Sequence, residues 1–187
     1  GGTGSSGGTG NSGATGFSGG TGGGATGGTG ATGSGGGGGG GGTQIQFMAV
    51  TGDTVSNTVI YTYNGTVWFS MNINPFGTGG IGLSSYYSPD TLQWMLGGTG
   101  GATANLVYSL NTNPFAFTTI SIPLTAVQGI VWSSDIRRWV IGGNGGAVIY
   151  FSNDGISWEP STTGSTVFAI CFDVTYVPRQ SAFIAVG

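Results

Sequence analysis

The sequence predicts an all-β protein assembled from short antiparallel strands that repeat along the chain. Three observations carry this reading. Aromatic starts recur at Phe47, Trp94, Trp139 and Phe183, at spacings of 47, 45 and 44 residues. Between them lie short runs of β-branched and aromatic residues cut by Gly, Asn and Pro, with no helical period. Composition also breaks near residue 43: residues 1–42 hold no charge, Pro or Trp, and Phe17 is their sole large apolar side chain. The tract has nothing to bury, whereas 43–187 is long enough for one sizeable core.

The first element is the tract 1–42. Glycine falls at 1, 4, 7, 10, 13, 16, 19 and 22, and the frame slips by one residue at Gly22-Gly23-Gly24. It resumes from Gly24 and runs into the glycines Gly35 to Gly42. Glycine at every third place is what a triple helix requires, because only hydrogen fits at its crowded axis. Thr3, Thr9, Thr15, Thr21, Thr26, Thr29 and Thr32 close many of the triplets. The tract therefore reads as a triple helix or polyglycine bundle, with a flexible Gly/Ser-type linker as the alternative.

The second element is the repeat. The segments Phe47-Met-Ala-Val-Thr-Gly52, Trp94-Met-Leu-Gly-Gly98, Trp139-Val-Ile-Gly-Gly143 and Phe183-Ile-Ala-Val-Gly187 align. After each of the first three comes a strand ending in a hydroxyl: Val59–Thr62, Leu106–Ser109, Ile149–Ser152. A polar turn and an aromatic follow at constant offsets: Thr62, Asn64 and Trp68; Ser109, Asn111 and Phe115; Ser152, Asp154 and Trp158. A further strand precedes each later aromatic start, and Ile81–Ser84, Ile130–Ser133 and Ile170–Asp173 are aligned for it. Four strands in about 45 residues is the pattern of a β-propeller blade, giving three blades over 43–187. The shared offsets place Trp68, Phe115 and Trp158 in equivalent buried positions. The first blade begins at its second strand. The chain starts without Met and stops in mid-pattern at Gly187, so it reads as an incomplete fragment of a longer polypeptide.

The polar turn resembles the Asp-box, or bacterial neuraminidase repeat, of sialidase-like and sortilin-like propellers. Ser152, Asp154, Gly155, Ser157 and Trp158 match it, one residue shorter than the usual box. Thr62, Asn64, Gly65 and Trp68 form a weaker copy, and Ser109, Asn111 and Phe115 the weakest. In such a turn the Asx side chain caps backbone N–H groups while Gly takes the positive φ. The resemblance implies a structural box, away from the working face. The tract resembles the Gly-X-Thr collagen-like stalks of bacterial and viral surface fibres, from which the absence of proline and the frame slip are departures.

Composition removes whole classes of chemistry. With no His and one Cys, Cys171, there is no structural zinc set, no intrachain disulfide and no imidazole-dependent triad. Three arginines and no lysine cannot track a phosphate backbone, so nucleic acid is not an expected partner. No apolar run is long enough to insert in a membrane. Sialidases with this repeat use three arginines on separate blades. Here Arg137 and Arg138 are adjacent and point apart, and Arg179 sits in the next matching hairpin. Asp53, Asp90, Asp135, Asp154, Glu159 and Asp173 each fall in or beside a turn, and none pair by sequence. Glu159 reads as an exposed turn residue and Cys171 as a buried, inert thiol. The expectation is no enzyme, no cofactor and no metal.

Tyr86, Tyr87 and Tyr176 are candidates for stacking on sugar rings, with packing between blades as their plainer role. Asn64-Gly65-Thr66 is a glycosylation sequon, although turn capping already accounts for Asn64. Stalk and blades together resemble the fibre and surface proteins of large DNA viruses. That resemblance implies an extracellular, virion-surface structural or attachment fibre, a homo-oligomer that forms a trimer through 1–42. Its partners would be other virion proteins or cell-surface glycans. The alternatives are a carbohydrate-binding adhesin, with an aromatic-lined pocket on the face opposite the Asp boxes, and a decayed glycosidase-like propeller.

Overall fold

Most runs of β-branched and aromatic residues among the described residues become strands, each paired antiparallel with its neighbours in sequence. A computed structural model describes residues 45–50, 59–100, 104–167 and 169–187. The tract 1–42 and Asp53 lie outside the described residues. Strands β1 (Phe47–Val50), β2 (Val59–Thr62) and β3 (Trp68–Ser70) form an antiparallel three-stranded meander. Next comes a four-stranded meander of β4 (Ile81–Ser88), β5 (Gln93–Thr99), β6 (Leu106–Leu110) and β7 (Asn113–Ile120). A second has β8 (Ala126–Ser133), β9 (Arg138–Asn144), β10 (Ile149–Ser152) and the short β11 (Glu159–Pro160). The hairpin of β12 (Asp173–Val177) and β13 (Ala182–Val186) follows. The protein is all-β and antiparallel, with helical geometry among the described residues confined to 3₁₀ turns at Gly164–Thr166 and Pro178–Gln180.

Among the described residues the expected four strands per repeat are found in the two middle units, with three in the first and two in the last. Successive units are stitched in the same way. Ala126 pairs with Thr99, and Ile170 bridges to Asn144 at the corresponding place one repeat later. The register also corrects one alignment. Ile81 pairs with Thr99 as Ala126 pairs with Asn144, so Ala126, four residues before Ile130, is the partner of Ile81 in the repeat. Apolar residues run through most of β8, and a shift of four leaves the apolar pattern intact, so composition alone does not reveal the slip.

Strand alternation sorts side chains into layers between successive sheets. Met48 and Val59 of the first sheet meet Trp94, Leu96 and Val107 of the second. Met95 and Leu106, on the opposite face of that second sheet, meet Trp139, Ile141 and Tyr150 of the third. Val140 and Val148 then meet Val174 and Cys171, with Phe183 and Ala185 packed alongside. So on each second strand the leading aromatic faces the preceding sheet, and the next residue faces the following one.

The sheets approach so closely that each layer has a glycine seam. A Cβ on Gly97 would come 2.7 Å from Val127 Cγ1, and one on Gly142 would collide with Cys171 Sγ. At the first seam the sizes are exchanged: a Cβ on Gly82 would collide with Val50. Val50, Gly97 and Gly142 hold matching positions, as do Gly82, Val127 and Cys171, so every seam pairs one glycine with one larger residue.

The expected burial of the three turn aromatics is corrected by this layering. Trp68 is 43% exposed and Phe115 49% exposed, and Trp158 alone is half-buried in a core layer. Trp68 pairs with Thr62 and so shares the outward face of the first sheet, where no described sheet covers it. Phe115 lies within the register shift of the β6–β7 ladder, between the paired residues Asn113 and Thr118, and rests edge-on against Tyr61, with centroids 5.3 Å apart.

Candidate functional site

In the turn between β10 and β11, Asp154 Oδ1 accepts the backbone N–H of Ile156 and of Ser157, both at 2.8 Å. The Ser152 hydroxyl donates to the same oxygen at 2.9 Å and accepts the N–H of Gly155 at 2.8 Å. Gly155 takes φ 76°, and Trp158 Nε1 donates to its carbonyl at 3.3 Å. The two backbone bonds hold the Asp154 carboxyl down at about 2. The turn between β2 and β3 repeats these contacts: Asn64 Oδ1 accepts the N–H of Thr66 at 2.9 Å and of Val67 at 3.1 Å. Thr62 stands for Ser152, and Gly65 has φ 79°.

The third copy is different. Leu110 pairs directly with Asn113, which leaves Asn111 and Thr112 as a tight two-residue turn. The Ser109 hydroxyl is buried without a hydrogen-bond partner. Without Gly after the Asx, the longer capped loop is not built at this position.

The hairpins between first and second strands hold a constellation that the sequence reading did not assemble. Tyr87 pairs with Trp94, Trp132 with Trp139 and Tyr176 with Phe183, each as facing aromatics with centroids 4.7, 5.3 and 5.0 Å apart. The polar tip of each later aromatic reaches back to an aspartate in the preceding hairpin. Trp132 Nε1 donates to Asp90 Oδ2 at 2.7 Å, and the Tyr176 hydroxyl donates to Asp135 Oδ2 at 3.0 Å. The Trp132 bond, with help from Ser134 and the nearby Arg137, keeps the Asp90 carboxyl below its usual range. Each hairpin also carries a left-handed non-glycine residue: Leu92 at φ 55°, Arg137 at 51° and Ser181 at 47°. None is Asn, so residue type did not mark the left-handed position within each turn. The equal spacing of Asp90 and Asp135 from their aromatic starts was the available signal.

Beside these hairpins lies an open cavity of about 310 Å³. Tyr86, Val131 and Thr175 line it from matching positions on β4, β8 and β12, with Trp132, Asp135 and Tyr176 at its wall. The cavity thus brings together Tyr86 and Tyr176 of the three candidate tyrosines. Tyr87 is instead stacked on Trp94, and burial raises its phenol pKa. The cavity sits at the same end of the sheets as the Asp154 turn, since Arg138 of the β8–β9 hairpin donates through Nε to Asn153 Oδ1 at 3.1 Å. It is therefore not the pocket opposite the Asp boxes that an adhesin is expected to carry: in a meander the first and third turns fall at one end. Phenol faces, an indole and a carboxylate around a cavity of this size suit a polyhydroxylated ligand.

The described carboxylates are dispersed. Asp90, Asp135 and Asp154 are engaged as above, Asp173 Oδ1 accepts the N–H of Val174 at 2.9 Å, and Glu159 is exposed on the edge strand β11. Arg138 lies over the Phe151 ring at 5.0 Å while Arg137 is near Asp90, so the adjacent arginines serve different partners. Arg179 occupies the third hairpin. Cys171 is buried in the glycine seam, and burial raises its thiol pKa. Among the described residues no group of His, Cys, Asp and Glu could hold a metal ion. None of the helices there is long and apolar enough to cross a membrane. The chain matches no protein-family model and no curated protein.

Proposed function

We propose that the chain is a structural or attachment component of an extracellular fibre on a virion surface. In this reading the stacked meanders are blades of a β-propeller, and copies assemble through the glycine tract 1–42. The supporting observation is how the polar side chains are spent. Asp90, Asp135 and Asp154 bind the hairpins and turns of the stack, while apolar layers and glycine seams hold the sheets together. Little is left for reaction chemistry, and a nearly uncharged surface suits permanent contact with neighbours rather than free diffusion. Deleting residues 1–42 and measuring mass by light scattering tests the assembly. A trimer is expected for the whole chain and fewer copies for the deletion; a tract whose removal leaves the number of copies unchanged defeats this reading.

A second reading, a carbohydrate-binding adhesin, is favoured by the cavity walled by Tyr86, Asp135 and Tyr176. Here Asp135→Asn and Tyr86→Ala would abolish binding on a glycan array at temperatures well below the thermal midpoint, which both lower because Asp135 accepts from Tyr176 and Tyr86 packs on Trp139. Unchanged glycan capture by both variants would remove the cavity from the argument.

A further inference from the structure

We propose that Asn64 is an attachment site for an N-linked glycan, and that the capped turn around it presents the side-chain nitrogen to the transferase. This is a modification of the chain itself, separate from assembly through residues 1–42 and from the cavity beside the hairpins. Asn64-Gly65-Thr66 carries the required hydroxyl two places after the asparagine, and no other asparagine in the chain has Ser or Thr at that offset. Capping and glycosylation do not compete for Asn64, because they use different atoms. Oδ1 is the capping atom: it accepts the N–H of Thr66, the N–H of Val67 and the Thr62 hydroxyl. Nδ2 takes part in none of these bonds, and Asn64 is exposed together with Gly65, Thr66 and Val67.

The place of the turn keeps it accessible whatever packs on the sheet. The matching turn at Asp154 belongs to a sheet with apolar layers on both faces, through Trp139 and Ile141 on one and Val140 and Val148 on the other. Asn153, Asp154, Ile156 and Ser157 are exposed there all the same, because the turn projects past the ends of the strands and not from a face. A further layer laid on the first sheet would therefore leave Asn64 open to solvent.

The chemistry needs an amide nitrogen that can give up a proton. On Oδ1 of Asp154 the donors of the matching turn, the N–H groups of Ser157 and Ile156 first, stabilise negative charge enough to hold the carboxyl down at about 2. The same arrangement on Asn64 favours the form in which Nδ2 has lost a proton and the charge rests on Oδ1, as an oxyanion hole would. Transfer joins Nδ2 to C1 of a sugar supplied as its diphosphate ester. The C1–O bond breaks, the diphosphate leaves with the electron pair, and the Nδ2 proton passes to a base of the transferase. Nothing is oxidised or reduced. The product keeps Oδ1 and its hydrogen bonds, so the turn closes as before. Asp154 offers no nitrogen, and Asn111 has Asn113 in place of the hydroxyl, so the other two copies of the turn are not substrates.

The whole chain, secreted from eukaryotic cells whose oligosaccharyltransferase supplies a lipid-diphosphate-linked donor, tests this by intact-mass and peptide mass spectrometry. One N-linked glycan per chain is expected, on the peptide that holds Asn64. An amidase that cuts the sugar–asparagine bond should remove it and leave aspartate at that position. Thr66→Ala deletes the hydroxyl but keeps the backbone N–H that caps the turn. It should abolish the glycan, with a thermal midpoint close to that of the amidase-treated parent. Asn64→Asp should also abolish it and keep the fold by circular dichroism, since Asp154 caps its own turn with a carboxylate. A secreted parent without glycan at Asn64, or a Thr66→Ala chain that retains it, overturns the proposal. Deleting residues 1–42 should leave occupancy at Asn64 unchanged, so failure here is distinct from failure of the stalk.

Discussion

Asp154 shows how far one side chain determines a turn. Its Oδ1 caps two backbone N–H groups and receives the Ser152 hydroxyl, which leaves it structural. Asp154→Ala should cost about 1–2 kcal/mol in chemical denaturation and leave any glycan capture intact. Binding lost at unchanged stability would instead make it a site residue. The pH dependence has a definite sign. The folded carboxyl sits at about 2, below the usual carboxylate value, so its contribution is complete above roughly pH 4–5. It is lost as pH falls through the folded value. Asn64 makes the same backbone bonds without a titrating group, so the stability difference between Asn64→Ala and its parent should not change over that range. These two turns were legible as Ser/Thr-x-Asx-Gly. The third was not, because Ser109 and Asn111 keep the spacing but lack the glycine that allows the loop its positive φ.

At the scale of elements, the glycine seams govern how strands of neighbouring sheets meet. The three atoms nearest to a Cβ on Gly82 all belong to the Val50 side chain, whereas a Cβ on Gly97 meets both the Val127 side chain and, at 2.8 Å, the Val127 carbonyl oxygen. Gly82→Ala and Gly97→Ala should each destabilise by about 1–3 kcal/mol. Val50→Gly should recover much of the first loss, since the nearest obstacle is the Val50 Cβ, which alanine would keep, while Val127→Gly should recover little of the second, because the Val127 carbonyl oxygen stays in place. A double-mutant cycle on thermal or urea unfolding reads the difference. Equal rescue at both sites would mean that the backbone yields, and that the seams are not the tight contacts described. Strand positions were readable from apolar runs and turn residues. The four-residue slip of β8 was not, because register depends on the partner strand.

For the whole molecule, low charge sets the order of events on acidification. The chain carries a net charge of −3 and has a sequence pI near 4.2. Solubility should therefore pass through a minimum near pH 4, while the Asp154 cap persists until the pH nears 2. Light scattering should rise before the β-sheet dichroism falls. Dichroism that is lost first would show that the fold depends on carboxylates other than those capping turns.

By itself the sequence determined the strand-and-turn alphabet, the spacing of about 45 residues, and the two turns in which Asn64 and Asp154 cap their own backbone. These are local matters, set by side-chain alternation and by hydrogen bonds spanning two or three residues. Tertiary structure alone decided which faces are covered. Trp68 and Trp158 keep the same offset within their turns, yet one lies on an uncovered outer face and the other against a core layer. It also decided that Asp90 and Asp135 answer Trp132 and Tyr176, partners 42 and 41 residues away. No local pattern encodes those contacts, because they arise only when one sheet is laid on the next.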